Sequence, residues 1–401
     1  MLKTVTNIFR TVFHGLIYLS LAFSLFVAVT LVWLWPSYDY LPAQSGSLSV
    51  QRLSDGPIIE TAMSPRLTAL AKEQGYNNVN GPSLIRVPDW LENPLGNYYL
   101  YFSHHKGDFI RLAYADTVEG PWSIYEPGAL ALKNSGFLSE SIPRLSLGEG
   151  LAELWNAVSI YLFRDSVLAV YQAVVTDQEI RKQRGIAASQ TLKAHIASPE
   201  VVIDEANKQI VMFFHGQRDS LSQVSGVATS TNGLDFTASE KKLGAVYLRS
   251  FIYKDQYYFL AAPGILYRSD ELLGDYEPRD KSLFGNDTRH SAVLLQGDQL
   301  TVVWSRVGDA PEQLLVSIVS LSSSDWDDWV PTHPTGLLRA EQPWEGSELP
   351  VQPSLRSETN ERINDLRDPD IFVDVDGQVY LFYVAAGEQS IGVVGLNKVA
   401  P

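Results

Sequence analysis

One template recurs along this chain: a short apolar strand, a tight turn, a second apolar or aromatic strand, a loop and a third strand. The first copy reads PSLIRV, NYYLYFSHHKGD and FIRLAYADTVEGPW, and the second NAVSIYLFRDSVLAVYQAVV with RGIAASQTL. The third is SPEVVIDEANKQIVMFFHG with SGVATSTNGLDF, and the fourth LRSFIYKDQYYFLAAPG with ILYRSDELLGDYEP. The fifth is RHSAVLLQGDQLTVVWSRVGD with LLVSIVSLSSSDWDDW, and the sixth RDPDIFVDVDGQVYLFYVAAGE with SIGVVGLNK. KDQ, GDQ and VDG sit between alternating apolar runs, where tight hairpin turns belong. Six small antiparallel units cannot each bury an apolar face alone. They must pack on one another, and radial repetition in an all-β propeller is the architecture that achieves this. A helix is expected only near 65–74.

The N-terminus follows another rule. No formally charged residue occurs between Arg10 and Asp39, and 16–35 is almost continuously apolar. About 20 helical residues span a bilayer core of about 30 Å, whereas a cleavable leader has an apolar region of about 7–15 residues. Trp33, Trp35, Tyr38 and Tyr40 resemble an interfacial aromatic belt. The expectation is a cytoplasmic N-terminus at 1–10, a transmembrane anchor at 11–38, a Ser/Gly/Pro-rich linker at 39–60 and the propeller at 61–401. Lys3 and Arg10 precede the apolar run and no Lys or Arg follows until Arg52. The large domain is therefore expected outside the cytoplasm, with the bilayer as a partner.

The net charge of −15 is spread along the chain and argues against a nucleic-acid partner. The absence of cysteine excludes disulfides and thiolate metal ligands. No H-x-x-H type spacing occurs among the histidines, so neither a metal nor another cofactor is expected.

Antiparallel pairing brings the start of each first strand and the end of each second strand to one face. The strand starts carry Asn80, His195 with Glu200, Arg249, Arg289 with His290, and Arg367 with Asp368. The second-strand ends carry His104, His105, Lys106, His215 and Arg306. Five of the seven histidines fall at these positions, the others being His14 and His333. Singly, each is explained by strand ends meeting solvent. Together they mark one rim as the functional face, where clustered titratable groups suit acid–base chemistry. The basic residues there would favour a substrate bearing carboxylate or sulfate. The aromatic–acidic stretch before the last unit could bring Trp344 and Glu345 over the channel.

The motif RDPDIFVDVDGQVYLFY resembles the inner hairpin of glycoside hydrolase family 43, in which Asp-Pro opens the strand. SPEVVIDEANKQIVMFF is similar, with Ser in place of that Asp, and the endings around GPW and STNGLDF also resemble that superfamily. The resemblance extends over roughly 60–398. It implies a five-bladed propeller, so the chain is expected to form five blades with an inserted hairpin unit at 156–191, or six blades. It also implies glycosidic-bond cleavage, with Asp368 matching the Asp of the Asp-Pro opening. In that family the first blade supplies the base, whereas here the place reads Asn80-Gly81-Pro82-Ser83.

Sugar hydrolysis normally requires two carboxyl groups. The expected catalytic set is Asp368, Glu200 and His290. The expected substrate-binding set is His105, Lys106, His195, His215, Arg249, Arg306, Asn80, Trp344 and Glu345. The function expected is a membrane-tethered glycoside hydrolase acting on an oligosaccharide or polysaccharide, anionic in type. The alternatives are a non-catalytic propeller that binds carbohydrate or protein, and a glycosyl-transferring or phosphorolytic relative.

Overall fold

The computed structural model describes residues 38–398, apart from 45–47, 106, 144–190, 221, 286 and 357. The sequence's hairpins become five antiparallel sheets of four principal strands. Blade I runs from its inner strand Asn80–Arg86 through Tyr98–Ser103 and Phe109–Ala115 to Ser123–Ala131. Blade II begins with Ile196–Asp204, blade III with Arg249–Tyr253, blade IV with Thr288–Gln296 and blade V with Leu366–Val373. These five inner strands touch in cyclic order, blade V returning to blade I. The ring is thus complete with five blades.

Blades I and II are direct neighbours, so no sixth blade stands between them. The unit expected at 156–191 lies outside the described residues apart from Thr191, which belongs to a ribbon pairing Ile142–Pro143 with Thr191–Leu192. The expected span at 11–38 lies outside them apart from Tyr38. Among the described residues no helix is long and apolar enough to cross a membrane.

Local chemistry explains the elements. Lys254 and Asp255 form a two-residue hairpin loop with φ of 49° and 63°, the left-handed pair that matches the twist of antiparallel strands. Helix Pro65–Gln74 starts where the Ser64 hydroxyl accepts from the Leu67 amide and stops at Gly75 in the left-handed conformation, the expected N-cap and C-cap chemistry. Alternating side chains of adjacent blades then interdigitate. Tyr99, Tyr101, Met212 and Phe214 fill the seam between blades I and II, and Leu300, Trp304, Leu260 and Phe284 that between III and IV.

The reading of 39–60 as a linker is corrected. Leu48–Arg52 pairs residue by residue with Ser390–Lys398, from Leu48 opposite Lys398 to Arg52 opposite Val394. It is the outermost strand of blade V. Its alternation LSVQR was obscured by the Ser, Gly and Pro around it.

Four inner strands carry a register shift near the start, between Asn80 and Ser83, opposite Phe213 to His215, between Thr288 and Ser291, and between Arg367 and Asp370. In three of them the shift contains an X-Pro pair whose first residue has positive φ: Gly81, Ser198 and Asp368. A bulge of this kind re-aims one side chain out of the strand's alternation. The propeller thereby turns selected side chains toward its axis.

Candidate active site at the propeller axis

Asp368 stands at one of these bulges with φ of 49°. Its side chain is buried, and its Oδ1 meets His290 Nδ1 from blade IV. The contact lacks hydrogen-bond alignment, and Asp368 Oδ2 and His290 Nε2 have no protein partner. The His290 ring lies edge-on to Tyr247 at 3.8 Å, and Tyr247 packs at 4.5 Å on His215, which in turn meets His195 at 5.7 Å. Tyr247 itself has φ of 59°, a conformation unusual for an aromatic residue and concentrated at functional sites.

On the blade I side, Asn80 Oδ1 accepts from the Ser103 hydroxyl at 2.5 Å, and that hydroxyl accepts from the Ser198 amide at 3.0 Å. Buried polar atoms without a partner include Asn80 Nδ2, Ser198 Oγ and both ring nitrogens of His104 and His215. Each such atom costs about 1–3 kcal/mol when left unmade. Their concentration on one rim is the strongest chemical signal in the molecule.

Burial, with Arg289, His105, Arg249 and His215 adding repulsion, holds His290 well below the usual imidazole range. Burial does the same to His215. These are neutral imidazoles, able to donate from one nitrogen and accept at the other. Burial, aided by Arg111, pushes His104 down to about 3. The unfolded chain protonates this group near pH 6.5 and the folded chain does not, so stability falls as pH drops below 6.5. The slope is about 1.4 kcal/mol per pH unit for one group. Replacing His104 by Gln is expected to narrow the stability gap between wild type and variant by about 2 kcal/mol between pH 7 and pH 5. Urea titrations at the two pH values measure it.

Beside the axis runs a chain of buried ion pairs. Arg289 donates to Glu312 at 2.8 Å. Arg367 contacts Glu312 at 3.6 Å, Glu388 at 3.0 Å and Asp365. Glu388 also accepts from Asn78 at 2.7 Å and meets His105 at 3.2 Å. Against the burial that would raise it, His105 and Arg367 hold Glu388 well below the usual carboxylate range. Arg289 further donates to the carbonyls of Leu355 and Arg356, tethering these two residues of the loop to the rim.

That loop carries Glu358. Burial raises the Tyr76 and Tyr247 phenols, the latter to about 12, and the Glu358 charge contributes to both shifts. Sequence reasoning missed Glu358, Tyr247 and Glu388. Tyr247 precedes the blade III strand start by two residues, so a wider window there would have found it.

Several expected roles are corrected. Arg249 does not await a substrate. Its guanidinium donates to the carbonyls of Pro82, Pro199, Ser291 and Pro369 at 3.0–3.3 Å and to Glu200 at 2.8 Å, and it lies 3.9 Å from Asp370. Glu200 is consumed by this arginine and by the amide and hydroxyl of Ser250 at 2.8 and 2.7 Å, so it does not join Asp368 as a partner. Burial and Glu200 push Asp370 up to about 7, with Arg249 pulling the other way.

Arg306 faces Asp287 at 3.6 Å and covers the Trp304 ring instead of joining the axial cluster. Glu345 is buried in blade V against Arg52 and the Tyr383 hydroxyl, and Trp344 stacks on Tyr383 at 6.1 Å. Neither reaches the axis. His105 and His195 are at the rim, His195 Nδ1 donating to the Lys193 carbonyl at 2.8 Å. Lys106 lies outside the described residues. Arg249, Arg289 and Arg367 are all paired to carboxylates inside the protein and lend no support to an anionic substrate. Among the described residues no group of three or more His, Asp or Glu is placed to hold a metal ion.

The strand start of blade I is tightly packed. Gly81 has φ of +57°, and a Cβ there would come within 2.8 Å of Ser198 Cα. Blade I meets blade II too closely for any side chain at this bulge. Gly81→Ala is expected to lose about 1–3 kcal/mol through backbone strain and overpacking, read as a lower urea midpoint.

The chain is therefore a five-bladed β-propeller with a polar, partly unsatisfied axial site. No family model matches it. By sequence it is similar to Uncharacterized protein R118 of Acanthamoeba polyphaga mimivirus, 29% identical over 400 residues that span 94% of this chain and 98% of that protein. Similar solved structures include a GH43_1 enzyme from Xanthomonas citri complexed with xylotriose, at 10% identity, 80% of this chain, 88% of that chain and a TM-score of 0.45. Another is CoXyl43, a GH43 β-xylosidase/α-arabinofuranosidase from a compost metagenome, at 10% identity, 90% and 96% coverage and a TM-score of 0.46. The exo-β-1,3-galactanase 1,3Gal43A of Clostridium thermocellum matches at 10% identity, 80% and 59% coverage and a TM-score of 0.46.

Proposed function

We propose that this propeller is a glycoside-hydrolase-type enzyme that cleaves a glycosidic bond of an oligosaccharide at its axis. The observation that carries this is the buried Asp368 carboxyl set against His290, with unpartnered polar atoms of Asn80, Ser198 and His215 on the same rim. Sugar hydroxyls both donate and accept, and they match neutral imidazoles, an amide nitrogen and a serine hydroxyl in such a cluster.

Asp368, braced by His290, supplies one proton-transfer group. Glu358 supplies the second acidic group from the tethered loop. One carboxyl protonates the glycosidic oxygen as its bond to the anomeric carbon breaks. The other accepts a proton from the water that adds to that carbon. The net result is addition of one water across the bond. His215, Asn80 and Ser198 orient the sugar, and Tyr247 closes one wall.

A second reading, a carbohydrate-binding propeller without catalysis, draws on Gly81 at the first-blade position and on the consumption of Glu200 by Arg249. The two separate when the full chain is given a panel of oligosaccharides. Release of reducing ends that is lost in Asp368→Asn supports hydrolysis. Saturable binding with no cleavage supports the second reading and overturns the first.

A further inference from the structure

Blade V sends a second carboxylate to the rim from an unusual place. Glu388 lies in the hairpin end between Val379–Ala385 and Ser390–Lys398, where Ala386, Gly387 and Glu388 have φ of 53°, 72° and 66°. Two of these are not glycine, and such backbone persists only where the surroundings hold it. Here the Glu388 carbonyl accepts from the Val79 amide at 2.8 Å, and the Asp365 side chain accepts from the Gly387 amide at 2.8 Å. The result is a carboxylate only 1% exposed, set between blade V and the start of blade I.

Three side chains meet it there. Arg367 Nη1 donates to Oε1 at 3.0 Å, Asn78 Nδ2 donates to Oε2 at 2.7 Å, and His105 Nδ1 lies 3.3 Å from Oε1 and 3.2 Å from Oε2. Asn78 closes the clamp from its other end, its Oδ1 accepting from the His105 amide at 2.7 Å. Glu312, Asp365 and Glu388 are three carboxyl groups served by two guanidiniums, Arg289 and Arg367. Against burial, His105 and Arg367 hold Glu388 ionised. A carboxylate has no proton to give, so the contact requires the proton on His105 Nδ1. In the neutral ring Nε2 is then a lone-pair acceptor, since the bond made by one nitrogen sets the state of the other.

That Nε2 has no protein partner among the described residues, and unlike both nitrogens of His104 and His215 it is not sealed from solvent. The clamp also belongs to the axial site. Arg367 immediately precedes Asp368, and Asn78 stands two residues before Asn80. A charge on His105 adds to the repulsion that opposes charging of His290 and His215. We infer that Glu388 is a positioning residue that holds His105 in the Nδ1–H form, and that His105 Nε2 accepts a hydrogen bond from a hydroxyl of the sugar bound at the axis. The acceptor role rests on the axial site taking a sugar, whereas the positioning role does not. Blade I thereby contributes a polar group from the end of its second strand, where its strand start offers Asn80 and Gly81 and no carboxylate.

The first test is the tautomer. In the full chain labelled with nitrogen-15 histidine, in mildly alkaline solution, long-range nitrogen–proton spectra separate the two neutral forms. His105→Phe identifies the His105 signals by their loss. Histidine in water favours the Nε2–H form, so the Nδ1–H form is the diagnostic result expected. Glu388→Asp should keep it. Glu388→Gln should reverse it, because the amide turns its oxygen to Arg367 and its NH2 toward Nδ1. An Nε2–H ring in the parent chain overturns the proposal whatever the chain does with sugars. The second test uses Asp368→Asn, so that turnover does not consume the probe, with xylotriose, cellotriose and galactobiose titrated by calorimetry. Adding His105→Phe is expected to weaken binding about five- to tenfold, the worth of one neutral hydrogen bond. Binding indifferent to that change sinks the acceptor role alone. Failure of all three sugars to bind, beside an Nδ1–H ring, sinks the axial sugar site and the acceptor role together and leaves the positioning role standing.

Discussion

Arg249→Ala is expected to leave no folded propeller at 25 °C, or one destabilised by at least about 5 kcal/mol. The side chain joins the inner strands of the four other blades through the carbonyls of Pro82, Pro199, Ser291 and Pro369. Removing it strips a buried carboxylate, Glu200, of its counter-charge, a change that costs about 3–5 kcal/mol by itself. Four carbonyls lose a charged donor in addition. Arg249→Lys retains the charge, but one ammonium with three protons cannot serve five acceptors, and the expected result is intermediate. Arg249→Met combined with Glu200→Gln should recover part of the loss, because no uncompensated charge remains. Urea midpoints and thermal melts decide the matter, and an Arg249→Ala protein melting within two or three degrees of wild type would overturn the account.

Asp368→Asn is expected to behave in the opposite manner, losing about 10²–10⁴-fold in turnover while keeping its fold. Asparagine is nearly the same shape and tolerates a left-handed backbone better than most residues, so the φ of 49° is retained. No well-aligned protein hydrogen bond is lost, because both carboxylate oxygens lack one. Stability should be unchanged or slightly higher, as is common where a residue serves function at some expense to folding. Initial rates on the responsive oligosaccharide, set beside a thermal melt, test both halves. Undiminished turnover in Asp368→Asn excludes it from the chemistry.

Much of the fold could be read from periodicity and turn chemistry. Lys254-Asp255 and the Ser64–Gly75 caps are local signals, and local signals suffice for hairpins and a helix. The rim is legible because strand direction alone fixes it, and that direction sets Asp368, His290, His215, His195 and His105 on one face. How the rim residues are used was not legible. Arg249 is long enough to reach four neighbouring strands, and no spacing rule reveals that a side chain is spent inside the protein. Glu200 was mistaken for a reactive group for the same reason. Trp344 and Glu345, expected over the channel, are instead used inside blade V. The backbone carbonyls of 355 and 356 that Arg289 captures have no signature in sequence. Leu48–Arg52 was lost in its surroundings because a single edge strand with one partner carries only a weak alternation.

The pairing of Leu48 with Lys398 has a temporal consequence. The outermost strand of blade V is made about 350 residues before its partner at Val394–Lys398. At about 5–20 residues per second, roughly 20–70 s separate the two. During that interval the nascent propeller is an open arc with one blade seam unsealed, and its raw edge stays unpaired until Ser390–Lys398 is made.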